Sequence, residues 1–239
     1  MATHPARFSM IGKVVQSLLQ QTAQIHQLLI HINNSAVPPT LPYDSRIKVH
    51  YSSASHDLTD IGKFKMAATV ESGVVATVDD DIIYPKNYIQ RLTGAILSYE
   101  GRAVVGYHGA ILPRESIQSW SEYLRKRSVY WFRDGLKEDQ AVHVLGTGTM
   151  AYHTDLINFD WKSFDYGRMA DLHVAVEAQK KGIPMIALSR PDDWIKSIAQ
   201  TKKVYRQSIW RTAQKDSTLQ KQMIEVVNRV NQWEEPDQI

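Results

Sequence analysis

Between Ile11 and Leu19 the apolar residues Ile11, Val14, Val15, Leu18 and Leu19 recur at steps of three and four, the spacing of one face of an amphipathic helix. The period then changes. Leu28–Ile32 and Ile47–Tyr51 are short apolar runs of strand length, and residues 63–72 return to a helical pattern. Val74–Val78 is β-branched or small throughout and stops at three aspartates, as a buried central strand would. Beyond it, Ile89, Leu92, Ile96 and Leu97 mark a helix, residues 103–107 a strand and residues 142–145 another. Residues 169–181 read as a helix closed by Gly182, and residues 183–188 as a further strand. Strands alternating with helices predict an α/β fold whose mostly parallel central sheet is flanked by helices. The last forty or so residues are polar, helical and poor in strand signals. The expected organisation is one α/β domain over residues 1–195 and a helical extension over 196–239.

Composition narrows this picture. The 239 residues are 43% hydrophobic and 22% charged, enough apolar content to exclude a mainly disordered chain. The absence of cysteine excludes a disulfide scaffold, a thiolate zinc site and a cysteine nucleophile together. A net charge of +3 gives no reason to expect a nucleic-acid partner. No apolar run approaches the ~20 residues of a membrane span, and the opening MATHPARFSM lacks the apolar core of a signal peptide. These features predict a cytoplasmic protein.

The candidate chemistry centres on Asp79-Asp80-Asp81. Three adjacent carboxylates repel one another, and burying them unpaired would cost several kcal/mol each. At the carboxyl edge of a sheet, where ligands of open α/β folds bind, they could hold a divalent cation. All-oxygen ligation favours Mg²⁺ or Mn²⁺; a solvated acidic turn is the alternative. Asp171, near the start of its helix, is suited to capping. Asp60, Lys63 and Lys65 sit where a loop enters a helix and could meet phosphate. None of the nine histidines shows a zinc-type i, i+4 pair, but His108 and His173 fall near element ends that face the same edge. Gly146-Thr147-Gly148-Thr149 is either an anion-binding turn or simply a tight one, since neither the P-loop nor the dinucleotide fingerprint is present. No GxSxG elbow supports a hydrolase triad.

Taken in order, these segments resemble a GT-A glycosyltransferase of the broad family 2 type. Thr3-His4-Pro5-Ala6-Arg7 is similar to that family's T-x-P-x-R segment, and Asp60-Ile61-Gly62-Lys63-Phe64-Lys65 to its D-x-G-x-x-K loop. Asp79-Asp80-Asp81-Ile82-Ile83-Tyr84-Pro85 resembles the D-x-D strand end with its I/V-x-Y-P continuation. Gly146 to Tyr152 resembles a G-x-G-x-x-x-Y stretch on the acceptor side, and Met169-Ala170-Asp171-Leu172 stands where the family has A-D-D or E-D. Leu172 departs from that last motif, and Arg190 with Trp194 only loosely resembles a late R-x-x-R-W element. Only Met1 and Ala2 precede the first segment, so either the first strand is shortened or the sequence begins within it.

The resemblance implies a GT-A fold and a metal-dependent transfer of sugar from a nucleotide-diphosphate sugar to a hydroxyl of a glycan or lipid-linked glycan acceptor. Inversion is the simpler outcome, and bacterial capsule or lipopolysaccharide synthesis the implied setting. Asp79 and Asp81 would hold Mn²⁺ or Mg²⁺, and Asp171 would be the catalytic base. Thr3, Pro5, Arg7, Asn33, Asp60, Gly62, Lys65, Asp79 and Asp80 would contact the donor, with His108 and Gly148 completing the substrate site. A nucleotidyltransferase and a non-catalytic carbohydrate- or partner-binding domain are the competing readings. From Lys196 to Trp233 eight Lys/Arg stand against Asp216 and Glu225, a net of 8 − 2 = +6, among the apolar Val204, Ile209, Trp210, Ile224, Val227 and Val230. Such a segment either packs on the catalytic domain or touches an anionic membrane surface.

Overall fold

The computed structural model describes residues 1–198, 209–230 and 232–236. Its first strand, β1, is Ala2–Thr3, and a 3-10 turn begun by Pro5 leads into helix α1, Phe8–Leu19. The predicted stripe is the buried one, comprising Met10, Ile11, Val14, Val15 and Leu18. β2 (Leu28–Ile32) and β3 (Ile47–Tyr51) follow, and β1, β2 and β3 form a parallel sheet in that order. Helix α2 is shorter than the pattern suggested, Gly62–Ala67. It precedes β4 (Val74–Val78), β5 (Ile82–Ile83) and helix α3 (Tyr88–Ser98).

The middle of the chain supplies β6 (Val104–Gly106), β7 (Gly109–Ile111), α4 (Trp120–Lys126), β8 (Ser128–Tyr130), β9 (Gln140–Val142), β10 (Val144–Leu145) and β11 (Thr149–His153). Helix α5 (Ala170–Lys180) and β12 (Met185–Ala187) follow. Gly182 takes φ +63°, and the Ile183 N–H reaches back to the Ala178 carbonyl, the Schellman closure its position predicts. The strand expected over residues 142–145 is broken at His143, whose Nδ1 accepts the Leu112 N–H. Its halves join different sheets.

The five-stranded sheet has the order β4-β11-β6-β12-β9, and only β6 and β12 pair in parallel within it. The expectation of a mostly parallel central sheet is therefore met by β1-β2-β3 and corrected here. The departure comes from two strands, β11, which lies antiparallel between β4 and β6, and β9, which lies antiparallel on β12; the alternation of buried and exposed positions that marks a strand is the same for either direction. β10-β7-β8 is likewise antiparallel. Along β11 and β12, successive side chains enter different apolar clusters. Met150 and Tyr152 face one with Met185 and Ala187, while Ala151 and Ile186 face the other. That period of two places a core on each side of the sheet.

β13 (Lys196–Ser197) pairs with β5. Helices α6 (Ile209–Ala213) and α7 (Ser217–Val227) close the described chain, with Asp216 capping α7 through the Thr218 and Leu219 N–H groups. Ala213, Leu219, Met223, Val226, Val227 and Trp233 are buried in the same cluster as α5. Val227, and with it Ile224 and Val230 packed against that cluster, is thereby committed to the protein interior. Lys202, Lys203, Val204 and Arg206 lie outside the described residues. No helix among the described residues is long and apolar enough to cross a membrane.

Candidate functional site

Three strand ends meet at one edge. β1 delivers Thr3, β2 delivers Asn33 and β4 delivers the aspartate triplet. They open on a cavity of about 630 Å³, also lined by His4, Arg7, Asp60, Lys63 and Arg168. Each aspartate of the triplet has its own partner. Asp79 Oδ1 lies 2.5 Å from Lys63 Nζ, Asp80 Oδ2 accepts from Thr3 Oγ1 at 2.6 Å, and Asp81 Oδ2 lies 2.7 Å from Arg7 Nη1. The 3-10 turn explains the last contact, because Pro5 opens it and turns the Arg7 side chain inward to 8% exposure. Pro5 shapes the chain and is not among the residues lining the cavity.

These pairings leave the site short of positive charge. Burial pushes the Asp80 carboxyl up to about 6; Arg7 opposes the shift, and Asp81 and Asp79 add to it. Asp79 is held below the ordinary carboxylate value because Lys63, directly bonded to it, outweighs the cost of burial. Lys63 is raised in turn, burial being overcome by Asp79.

Lys63 rather than Lys65 reaches the triplet. Two residues along a helix rotate a side chain by about 200°, so when α2 turns Lys63 inward, Lys65 faces away. Its amine lies 5.7 Å from the centre of the Trp161 ring, outside the cavity lining. Gly62 also serves packing, since a Cβ there would collide with Cδ2 of His31.

Asp171 joins the site through one threonine. Its Oδ1 accepts from the Thr147 N–H at 3.0 Å and from Thr147 Oγ1 at 2.6 Å. Lys63 Nζ in turn lies 3.3 Å from both Thr147 O and Oγ1. Burial raises the Asp171 carboxyl against the lowering effect of those Thr147 bonds, an environment that favours proton uptake. Asp171 is not itself among the lining residues. The 146–149 segment is a tight turn, closed by Thr149 N–H on the Gly146 carbonyl. Gly148 is there because Asp79 is close: a Cβ at 148 would overlap Asp79 Oδ2. Tyr84 locks the two together, accepting from the Asp79 N–H and donating to the Gly148 carbonyl at 2.7 Å.

Other candidate residues hold the framework. Asn33 donates to the Thr59 carbonyl and accepts from Leu58 N–H, fixing the loop before α2. Asp60 accepts from the Arg168 and Ala170 N–H groups, at 2.6 and 2.9 Å, and so ties that loop to the start of α5. His108 lies outside the lining, with ring centroids 5.0 Å from Trp131 and 6.0 Å from Phe132. Burial lowers its pKa to about 4. His173 stacks on Phe164, and Arg190 bonds the Trp131 and Leu188 carbonyls. Both are structural. Sequence reasoning passed over Thr147, Tyr84, Arg168, and Ile209 and Thr212 of α6, all of which touch or line the site. Of these, Tyr84 carried a signal in the Tyr-Pro after the acidic triplet and Thr147 one in the Gly146–Thr149 turn, though not its bond to Asp171.

Among the described residues, no group of three or more His, Cys, Asp or Glu side chains forms a ready metal cage. The donor set nevertheless fits a hard cation: carboxylate oxygens alone, with a surplus of negative charge at Asp80. Mg²⁺-type ions are commonly held by one or two carboxylates plus substrate phosphates. No family model matches the chain, and no curated protein matches it.

The Asp79–Lys63 pair carries a stability prediction. Lys63 is 3% exposed and Asp79 42%, so the two halves are not equivalent. Asp79→Ala strands a buried ammonium and is expected to cost about 3 kcal/mol, the low end for a broken buried pair, because water can reach the vacated position. Lys63→Met strands a carboxylate that solvent already reaches and costs about half as much. Urea unfolding of the two variants measures the difference.

Proposed function

We propose that the chain is a metal-dependent glycosyltransferase that moves a sugar from a nucleotide-diphosphate donor to a hydroxyl of a glycan acceptor. The observation that carries this reading is the hydrogen-bonded path from Asp79 through Lys63 and Thr147 to Asp171. It sets a carboxylate with raised proton affinity next to an acidic cluster at the carboxyl edge of the strands. A GT-A arrangement is the finer form of the α/β fold that this reading adopts.

Asp79 and Asp81 would hold Mn²⁺ or Mg²⁺, whose chemistry when bound is to neutralise charge on the leaving diphosphate. Thr3, Asp80 and Arg7 line the cavity that would take the donor, and Arg7, paired with Asp81, would help neutralise its phosphates. Asp171 takes the proton of the acceptor hydroxyl as that oxygen bonds to the anomeric carbon. The bond from that carbon to the phosphate oxygen breaks, and the nucleoside diphosphate leaves. One base and one displacement give inversion. Because the apolar face of α7 is buried in the core, that face is not free for a membrane or lipid-linked acceptor, and any such contact of α7 would be electrostatic.

Incubation with a panel of UDP- and GDP-sugars and Mn²⁺ tests the proposal by release of nucleoside diphosphate. At least one donor is expected to be hydrolysed or transferred only with a divalent cation, and Asp81→Ala to lower that rate at least 100-fold. If no donor is consumed, or Asp81→Ala changes nothing, the proposal fails. Binding without turnover would instead favour a non-catalytic carbohydrate module.

A further inference from the structure

Carboxylates outnumber basic side chains on the cavity wall. Asp57, Asp60, Asp79, Asp80 and Asp81 line it against Arg7, Lys63 and Arg168. Arg7 and Lys63 are already engaged with Asp81 and Asp79, and both are buried. Arg168 differs on each point. It is exposed, and among the described residues its guanidinium has neither a hydrogen-bond partner nor an ion pair.

The backbone that presents Arg168 is held from two sides. Its φ of +68° lies in the left-handed region, unfavourable for a residue with a side chain and natural for glycine. The Arg168 N–H is shared by Thr59 Oγ1 at 3.0 Å and Asp60 Oδ1 at 2.6 Å. On the far side, Asp165 pairs with Arg229 at 2.8 Å, and Tyr166 donates to Glu225 of α7. A strained arginine fixed at both flanks, on a cavity wall and with its guanidinium unpartnered among the described residues, fits a ligand-binding role better than a packing one. The unmatched group is planar and cationic, suited to phosphate oxygens.

We propose that Arg168 is a diphosphate-binding residue of the donor cavity, donating from its guanidinium to the phosphate oxygens of a nucleoside diphosphate. This rests on the nucleotide-sugar reading above. Because Arg168 and Asp171 share one short segment anchored to Asp60, phosphate capture and placement of the base are carried by the same loop.

Two substitutions separate charge from backbone. Arg168→Gly removes the guanidinium and relieves the left-handed strain; Arg168→Gln removes the charge and keeps it. Calorimetric titration of UDP and GDP with Mn²⁺ into wild type, both variants and the surface control Lys180→Gln reads the effect. Both variants are expected to bind the wild-type ligand about tenfold or more weakly, with Lys180→Gln unchanged. The Tm of Arg168→Gly should equal or exceed that of wild type. Wild-type affinity in both variants, or a loss in Arg168→Gly alone, overturns the assignment while leaving the transferase reading intact. If wild type binds neither UDP nor GDP, both fall together.

Discussion

Replacing Asp171 by asparagine is expected to lower the rate of sugar transfer by about 100- to 10,000-fold, the usual contribution of a positioned general base, with donor affinity nearly unchanged. The geometry supports this separation. Asp171 stands outside the cavity lining. The amide oxygen of an asparagine in its place could still accept both Thr147 bonds, which preserves the 146–149 turn. The loss should therefore fall on kcat and not on donor KM. The pH profile adds a second check. Burial raises the Asp171 carboxyl, and a base must be ionised to act, so wild-type kcat should fall as pH drops toward that raised value. The residual rate of Asp171→Asn should lack that limb. Equal loss of donor binding and rate would show that Asp171 is structural.

The second large effect concerns stability. Asp80 is 9% exposed, and its carboxyl is pushed from 3.8 up to about 6. A raised acid binds its proton more tightly in the folded state. Its stabilising contribution is full below the unfolded value and is lost as pH rises through about 6. At about 1.4 kcal/mol per pH unit, the ionised carboxylate costs the fold roughly 2–3 kcal/mol at pH 8. Asparagine carries no such charge and can still accept from Thr3 Oγ1. Asp80→Asn should therefore exceed wild type in urea stability by about 2 kcal/mol at pH 8, with the difference fading near pH 4. A difference that does not vary with pH would contradict this view of the triplet. The same excess of charge is what a bound cation would relieve, so the cost is the kind expected of a functional site.

How far such a site can be read from sequence depends on where each residue's signal is stored. The triplet was legible because charge placed directly after the apolar Val74–Val78 strand has no cheap place to go. Arg7 was expected only through the resemblance of Thr3–Arg7 to a T-x-P-x-R segment; the turn at Pro5 that aims it inward emerged with the structure. Lys63 and Lys65 could not be ranked without knowing the helical phase, and that was fixed only once α2 began at Gly62. Gly148 was expected as a substrate contact, but it is not among the residues lining the cavity, and its lack of a side chain serves to admit Asp79. The link of Thr147 to Asp171 and the placement of Arg168 were hidden because they rest on contacts across 24 and 108 residues of chain, to Asp171 and Asp60. β11 was not among the expected strands, and its antiparallel place between β4 and β6 could not be read in any case, because strand periodicity reports burial, not direction.

The central claim is that this acidic edge takes a nucleoside diphosphate together with a divalent cation. Equilibrium titration of UDP- and GDP-sugars into the full chain, with and without Mn²⁺, tests it most directly. The account predicts that one donor binds, that its binding requires the cation, and that a folded Asp81→Ala variant loses it. Absence of binding by wild type under both conditions, or binding indifferent to both Mn²⁺ and Asp81, would contradict it.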